Sequence, residues 1–218
     1  MHSVIKSMFY IAFIIISLYV GTTMFTKSNG EKSIKLFGFM VLFLGIGESF
    51  HIVPRVLDIF SFDIENIQQY IDTGRFIASI SIIFVYLILI WLWKVYYEVN
   101  TTKNFNIILY LLAIGGVILS LVLMKTDNSL LILLRNIPTL IIGFIIILSY
   151  KKLAVESNKQ VFKHLWIAVL LGLVFTLGFE LLSPEYSLFI ILMMPKTLVY
   201  IWLVLMGYIG YKKELFQT

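Results

Sequence analysis

The chain has 218 residues, of which 60% are hydrophobic and 13% charged, with a mean hydropathy of +0.97. Soluble globular domains average about 45–50% apolar and about 25% charged residues, so too few polar side chains are present here to cover a water-soluble surface. The formal net charge of +5 is typical of lysine-rich cytoplasmic loops rather than of nucleic-acid binding. The composition therefore excludes a soluble domain and predicts a polytopic membrane protein. The 218 residues include no cysteine, which excludes disulfides and thiol nucleophiles within this sequence.

Seven apolar runs are each long enough to cross roughly 30 Å of hydrocarbon. They predict transmembrane helices over residues 8–26, 36–56, 74–96, 105–124, 130–150, 162–182 and 186–208. The segments between them are short and polar, so we expect an all-α fold in which residues 1–218 form one seven-helix transmembrane domain. We interpret the run 8–26 as a span and not as a signal peptide, because three lysines follow it and only Lys6 precedes it.

The distribution of lysine and arginine predicts the orientation of the spans. Eleven of the 17 basic residues lie in the loops after spans one, three and five or in the C-terminal tail. Because basic loops stay in the cytoplasm, the N-terminus is predicted outside and the C-terminus inside. The second loop, with Asp58, Asp63, Glu65 and Asp72, is then an acidic outer loop. The expected location is a bacterial inner membrane, which the chain crosses several times.

Ionisable side chains within the apolar runs are the candidate functional residues. An ionisable group in hydrocarbon costs about 2.5–3.5 kcal/mol and normally faces a partner or a wet cavity. Seven such groups fall in the predicted outer half of the membrane: Glu48, His51, Arg55, Arg75, Arg135, Glu180 and Lys196. Glu48, His51 and Arg55 share one helical stripe, because they are spaced i, i+3 and i+7. Helical spacing adds the polar side chains of Ser79, Asn136 and Tyr200 to the predicted pocket.

The predicted pocket is net basic. Its four cations exceed its two carboxylates, which gives +2 with His51 neutral. Guanidinium groups bind phosphate and carboxylate well, so the expected partners, besides the lipid bilayer, are an anionic small molecule or a lipid headgroup. Nucleic acid is not an expected partner, and the sequence leaves the oligomeric state open. Taken singly, each arginine also fits a snorkelling interpretation, and Lys196 fits a structural ion pair with Glu48 or Glu180.

Three functions compete for this pocket. The favoured one is a small transporter in which Glu48 and His51 transfer protons. A weak parallel repeat, with glycine, glutamate and proline near the outer ends of spans two and six, would give it a 3+1+3 arrangement. The second is an enzyme acting on a lipid headgroup, with His51 or Glu48 as general base. The third is a ligand sensor with neither flux nor turnover.

No cofactor and no metal are predicted. The spacing of Glu48 and His51 occurs in di-iron bundles, but those sites need a second such pair and two further glutamates. A retinal Schiff base on Lys196, with Glu48 as counter-ion, is a minor alternative, since the sequence does not reveal a ring-clamping pocket. Glycines 115, 116 and 172 are interpreted as helix-packing positions. Aromatic residues near the predicted inner interface, among them Tyr96 and Tyr97, are interpreted as a belt at the headgroups.

Three motifs carry a resemblance to a family. They are GxxFHxxPR at residues 47–55, RNIP at residues 135–138 and PKTxxYxW at residues 195–202. In these motifs the chain resembles a family of small bacterial membrane proteins with seven spans. The resemblance covers most of the chain and implies no particular activity. It favours Glu48, His51, Arg55, Asn136 and Lys196 as functional residues.

Overall fold

The computed structural model describes residues 2–60, 62, 64–123, 128–157, 159–182 and 193–216. Within these ranges the chain forms seven α-helices and no strand. They are α1 (His2–Thr26), α2 (Lys32–Ile59), α3 (Ile67–Tyr96), α4 (Lys103–Val122), α5 (Ser129–Glu156), α6 (Leu165–Leu182) and α7 (Met193–Lys212). The all-α fold with seven helices is therefore confirmed. Residues 183–192, which include the start of the predicted seventh span, lie outside the described residues.

Length and apolarity identify most of these helices as membrane-spanning. Six helices among the described residues are long and apolar enough to cross a bilayer, and the shorter apolar part of α6 covers Leu165–Gly178. Their outward surfaces carry large apolar side chains, such as Leu111 on α4 and Phe144 on α5, each more than half exposed. Side chains of this kind suit a lipid environment rather than water. The protein is a helical polytopic membrane protein.

The helices pack around a ring in chain order. Each helix contacts the next one, and α1 contacts α7, which closes the ring. The helix α4 lies outside, because its two neighbours α3 and α5 also contact each other. Three helices on one side and three on the other, with α4 apart, are compatible with the predicted 3+1+3 arrangement. The internal repeat itself stays a prediction.

Glycine brings α1, α2 and α3 unusually close together. A Cβ on Gly38 would lie 2.5 Å from the backbone nitrogen of Phe25 on α1. A Cβ on Gly74 of α3 would lie 2.2 Å from the backbone oxygen of Phe50 on α2. Real Cβ atoms do not approach that closely, so only glycine permits these crossings. The C-terminal half of α2, which carries Glu48, His51 and Arg55, is therefore held firmly against α3.

An aromatic cluster closes the end of the bundle where α7 terminates, which is the predicted inner end. We call it the inner aromatic cluster; it comprises Phe37, Tyr96, Tyr97, Tyr150, Phe162 and Phe216. Phe162 lies at its centre, with ring-centroid distances of 4.9 Å to Tyr96 and 5.5 Å to Phe216. Tyr96 is only 3% exposed and so does not face the headgroups, contrary to the expected belt.

The C-terminal segment folds back to complete this cluster. Glu214 has a left-handed backbone conformation, with φ of 57°. The amide of Leu215 donates to the carbonyl of Gly210 at 3.0 Å, which is the bonding of a Schellman motif. This turn reverses the chain after α7 and places Phe216 beneath the bundle, where it is 7% exposed. Aromatic rings consequently fill the predicted inner end of the described bundle.

Candidate functional site

A buried ion pair joins α2 to α7 in the opposite, predicted outer half. The Nζ atom of Lys196 lies 3.1 Å from Oε1 of Glu48. The side chains of Lys196 and Glu48 are only 14% and 5% exposed. Charges so withdrawn from water normally face a partner of opposite sign, because an isolated buried charge is very costly. Of the two partners considered for Lys196 from the sequence, the structure places Glu48 against it.

His51 lies on the other side of the same carboxylate. Its Nδ1 atom is 3.6 Å from Oε2 of Glu48, and the residue is 3% exposed. The separation exceeds normal hydrogen-bond length, and Nδ1 has no hydrogen-bond partner among the described residues. Buried polar atoms are rarely left in this state unless a water, an ion or a ligand satisfies them. The imidazole is therefore a candidate position for such a group.

Arg55 extends the stripe by one more turn toward the end of α2. Its guanidinium contacts the sulfur of Met193 at the start of α7, and the residue is partly buried. A thioether is a weak, uncharged acceptor, so it does not neutralise the cation. Among the described residues no carboxylate lies within ion-pair distance of Arg55, although Asp58 and Asp72 are in electrostatic range. Arg55 is thus the uncompensated positive charge of the site.

Three tyrosines surround this charged group. Lys196 lies over the ring of Tyr200, with Nζ 5.3 Å from the ring centroid. This contact is a cation–π interaction, one helical turn along α7. Tyr86 on α3 lies in electrostatic range of Lys196, and Tyr10 on α1 lies in range of Glu48, Lys196 and Arg55. Tyr10 and Met193 were not predicted from sequence, because neither differs from an ordinary apolar-span residue until the helices are assembled.

Arg75 and Ser79 lie at the margin of this group. Arg75 forms a surface ion pair with Asp72, with 3.1 Å between Nη1 and Oδ1. The hydroxyl of Ser79 donates to the carbonyl of Arg75 within the same helix. Arg75 lies in electrostatic range of Arg55 and His51, but its pairing with Asp72 and its exposure to water weaken its contribution to the potential of the site. It is 44% exposed, which fits a position at the entrance.

The contacts described for Arg135 and Asn136 are with α4 and within α5, and their predicted role in the pocket stays a prediction. A guanidinium nitrogen of Arg135 lies 3.5 Å from the carbonyl oxygen of Leu123, at the C-terminal end of α4. A cation at this position stabilises the exposed carbonyls of a helix end. The amide of Asn136 donates to the carbonyl of Ile132 in its own helix. Glu180 belongs to α6, but its side chain lies outside the described residues, so its predicted role stays a prediction.

We call Glu48, His51, Arg55 and Lys196 the outer ion cluster. Glu48 and Lys196 compensate each other, which leaves the charge of Arg55 in excess when His51 is neutral. The cluster offers an anion a guanidinium, an ammonium and an imidazole nitrogen, and it offers a proton a buried carboxylate. No group of three or more metal-ligating side chains converges within the described ranges.

Comparisons with known proteins add no relative from which function could be transferred. No known protein family, no curated protein and no solved structure matches this chain. The sequence motifs and the geometry of the outer ion cluster therefore carry the functional argument by themselves.

Proposed function

We propose that this protein is a small membrane transporter for an anionic solute, and that the outer ion cluster binds the solute and exchanges a proton. The observation that carries this proposal is the buried ion pair between Glu48 and Lys196, 3.1 Å apart, with the uncompensated Arg55 two helical turns along the same stripe of α2 and in contact with Met193 on α7. Ionisable residues inside a membrane are costly and commonly mark substrate pathways and proton relays. A purely structural pair would need no further cation.

The ion pair links two helices that are far apart in the chain. The helices α2 and α7 meet at Glu48 and Lys196 in the outer half, and the ring of Phe37 packs against Gly207 near the inner end. Protonation of Glu48 removes its negative charge and weakens its attraction to Lys196. Lys196 then becomes available to an anion that Arg55 also attracts. Proton binding and anion binding at this seam would thus favour each other, as cotransport requires.

Uptake into proteoliposomes tests the transport step. The solutes are inorganic phosphate, glycerol 3-phosphate and succinate, supplied with and without a pH gradient. Wild-type protein is expected to accumulate at least one of them in a gradient-dependent manner. The Glu48→Gln variant should give only the uptake of protein-free liposomes. Glu98→Gln is the matched control, because the Glu98 side chain is 84% exposed at the opposite end of the bundle. Gradient-dependent uptake by Glu48→Gln would overturn the proton-coupling role.

Binding of the same anions tests the basic site separately. The Arg55→Gln variant removes the uncompensated charge, and a lost charge-assisted hydrogen bond corresponds to roughly 10- to 100-fold weaker binding. Arg75→Gln is the control, since Arg75 is exposed and paired with Asp72. The affinity of each variant is measured in detergent from the rise in unfolding temperature as the concentration of each anion increases. Equal affinity of both variants would remove Arg55 from the site.

One observation favours an enzyme as the second candidate. A buried imidazole with a buried carboxylate nearby, 3.6 Å away and so outside hydrogen-bond distance, is a candidate general base. Such an enzyme would act on a lipid headgroup that reaches His51 from the outer leaflet. Incubation with native lipid should then produce a new lipid species by mass spectrometry, and His51→Ala should abolish it. Anion binding with neither flux nor product would instead indicate a sensor.

A further inference from the structure

Beneath the outer ion cluster the bundle contains a small apolar cavity. It has a volume of about 20 Å³ and lies between α2, α3, α6 and α7. Its walls come from aliphatic side chains such as Leu44, Val169 and Val199, together with the rings of Tyr86 and Tyr200. A cavity of this size accommodates one group about as large as a water molecule or a methyl. Because its walls are apolar, a hydrocarbon group suits it better than water does.

The ring of Tyr200 lies between the cavity and the outer ion cluster. Tyr200 lines the cavity, and Nζ of Lys196 lies 5.3 Å above the centroid of the same ring. On α2, Leu44 lines the cavity one helical turn from Glu48. One ring thus separates a cationic group from an apolar space. A molecule with an anionic head and a short apolar tail would match both.

The absence of a side chain at Gly172 creates this space, although close helix packing does not require a glycine at this position. A Cβ on Gly172 of α6 would meet only the ring of Tyr200, at an ordinary contact distance of 3.6 Å. By contrast, a Cβ on Gly74 or Gly207 would lie within 2.2 Å of a neighbouring atom. Gly172 therefore does not occupy the helix-packing position that the sequence suggested. Gly115 on α4 is also uncrowded, so what distinguishes Gly172 is the cavity that lies beside it.

We infer that the cavity beside Gly172 is the binding site for the apolar tail of the transported anion. This inference rests on the proposed anion-binding function and specifies its substrate class. The solute is a small organic anion whose head lies at Arg55 and Lys196 and whose tail passes Tyr200. Because the Tyr200 ring lies between the head position and the cavity, a tail of about three to four carbons at roughly 1.5 Å per bond is needed before its terminal methyl reaches the cavity. Anions without a tail, such as inorganic phosphate, bind the head position alone.

A series of n-alkylphosphonates from methyl to butyl tests the inference. These probes keep one anionic head and differ only in tail length. Their dissociation constants are obtained in detergent from the rise in unfolding temperature with increasing phosphonate concentration. Each methylene that enters an apolar pocket corresponds to about 10-fold or more in affinity. Wild-type affinity should therefore rise by at least about 10-fold from methyl to propyl.

Two cavity variants and one control make the test specific. Gly172→Ala fills the space without a clash, so it should abolish the gain from the tail and leave methylphosphonate binding unchanged. Val169→Ala enlarges the space and should shift the preference toward butyl. Gly115→Ala is the control, because a Cβ there meets nothing within 4 Å. Equal chain-length profiles in wild type and Gly172→Ala would overturn the inference and leave the proposed function intact. If no phosphonate and no other anion binds the wild type, both fail.

Discussion

The two ends of the bundle are closed by opposite means. At the inner end, neutral rings meet edge to face, and Phe162 is fully buried among them. At the outer end, Glu48, His51 and Lys196 are buried as ionisable groups, and Arg55 keeps an uncompensated charge. Aromatic contacts of this geometry stabilise packing and bury no formal charge, although the hydroxyl of Tyr97 is buried with no hydrogen-bond partner among the described residues. A buried ion pair is often no more stabilising than well-packed apolar residues. We therefore expect the inner end to serve stability and propose that the outer end serves function.

A large effect on stability is expected at the inner end. Phe162→Ala removes a ring that contacts Phe37, Tyr96, Tyr150 and Phe216. Truncation of a buried phenylalanine typically lowers the free energy of unfolding by about 3–5 kcal/mol. Phe144→Ala is the control, because Phe144 is 59% exposed on the outer surface of α5. Denaturation in mixed micelles measures both. If the two variants lose equal stability, the inner aromatic cluster does not stabilise the bundle.

The outer ion cluster should respond differently to single and double changes. Lys196→Met leaves Glu48 buried without its cation, and breaking a buried pair in this way costs about 3–5 kcal/mol. The double variant Glu48→Gln/Lys196→Met removes both charges, so most of that loss should be recovered. A double-mutant cycle on the free energy of unfolding measures the recovery. A double variant as unstable as Lys196→Met would mean that the pair itself stabilises the fold.

A smaller effect is expected where α3 supports the cluster. Gly74→Ala forces a Cβ to within 2.6 Å of the Cα of His51, so α2 and α3 must separate. Overpacking of this kind typically costs about 1–3 kcal/mol. Gly115→Ala, with open space around it, should instead be neutral or slightly stabilising. Unfolding temperatures in detergent compare the two. An unperturbed Gly74→Ala variant would contradict the close crossing of α2 and α3.

The smallest effect is expected at the entrance. Arg75 and Asp72 are about half exposed, at 44% and 52%, and exposed ion pairs contribute at most about 1 kcal/mol. Arg75→Gln should therefore change the free energy of unfolding by less than this amount. It should also leave the affinity for anions nearly unchanged, unlike Arg55→Gln. A large loss of stability in Arg75→Gln would place this residue in the structural core instead of at the entrance.

Hydropathy and helical periodicity predicted much of this structure. The seven helices follow from apolar runs that match the thickness of a membrane, and all seven occur among the described residues. The stripe of Glu48, His51 and Arg55 follows from the helical period alone, since residues on one helix keep fixed relative directions.

The remaining contacts depend on how each helix is rotated about its axis. Depth in the membrane suggested that Arg135 joins the same pocket, but its described contact is with the end of α4. Tyr10 lies beside the cluster although span one has no internal charge to indicate it. Gly172 looked like a packing glycine, and only the position of Tyr200 reveals the space beside it. Such positions are set by tertiary packing, which a single sequence does not encode in a readable pattern.

Anion uptake by the Glu48→Gln/Lys196→Met double variant tests the functional role of the outer ion cluster most directly. Proteoliposomes containing this variant or the wild-type protein are supplied with phosphate, glycerol 3-phosphate or succinate under a pH gradient. The comparison requires that the two proteins have similar unfolding temperatures in detergent. We expect wild-type protein to accumulate at least one of these anions and the folded double variant to match protein-free liposomes. Gradient-dependent uptake by the double variant at the wild-type rate would contradict the assignment of Glu48 and Lys196 to transport.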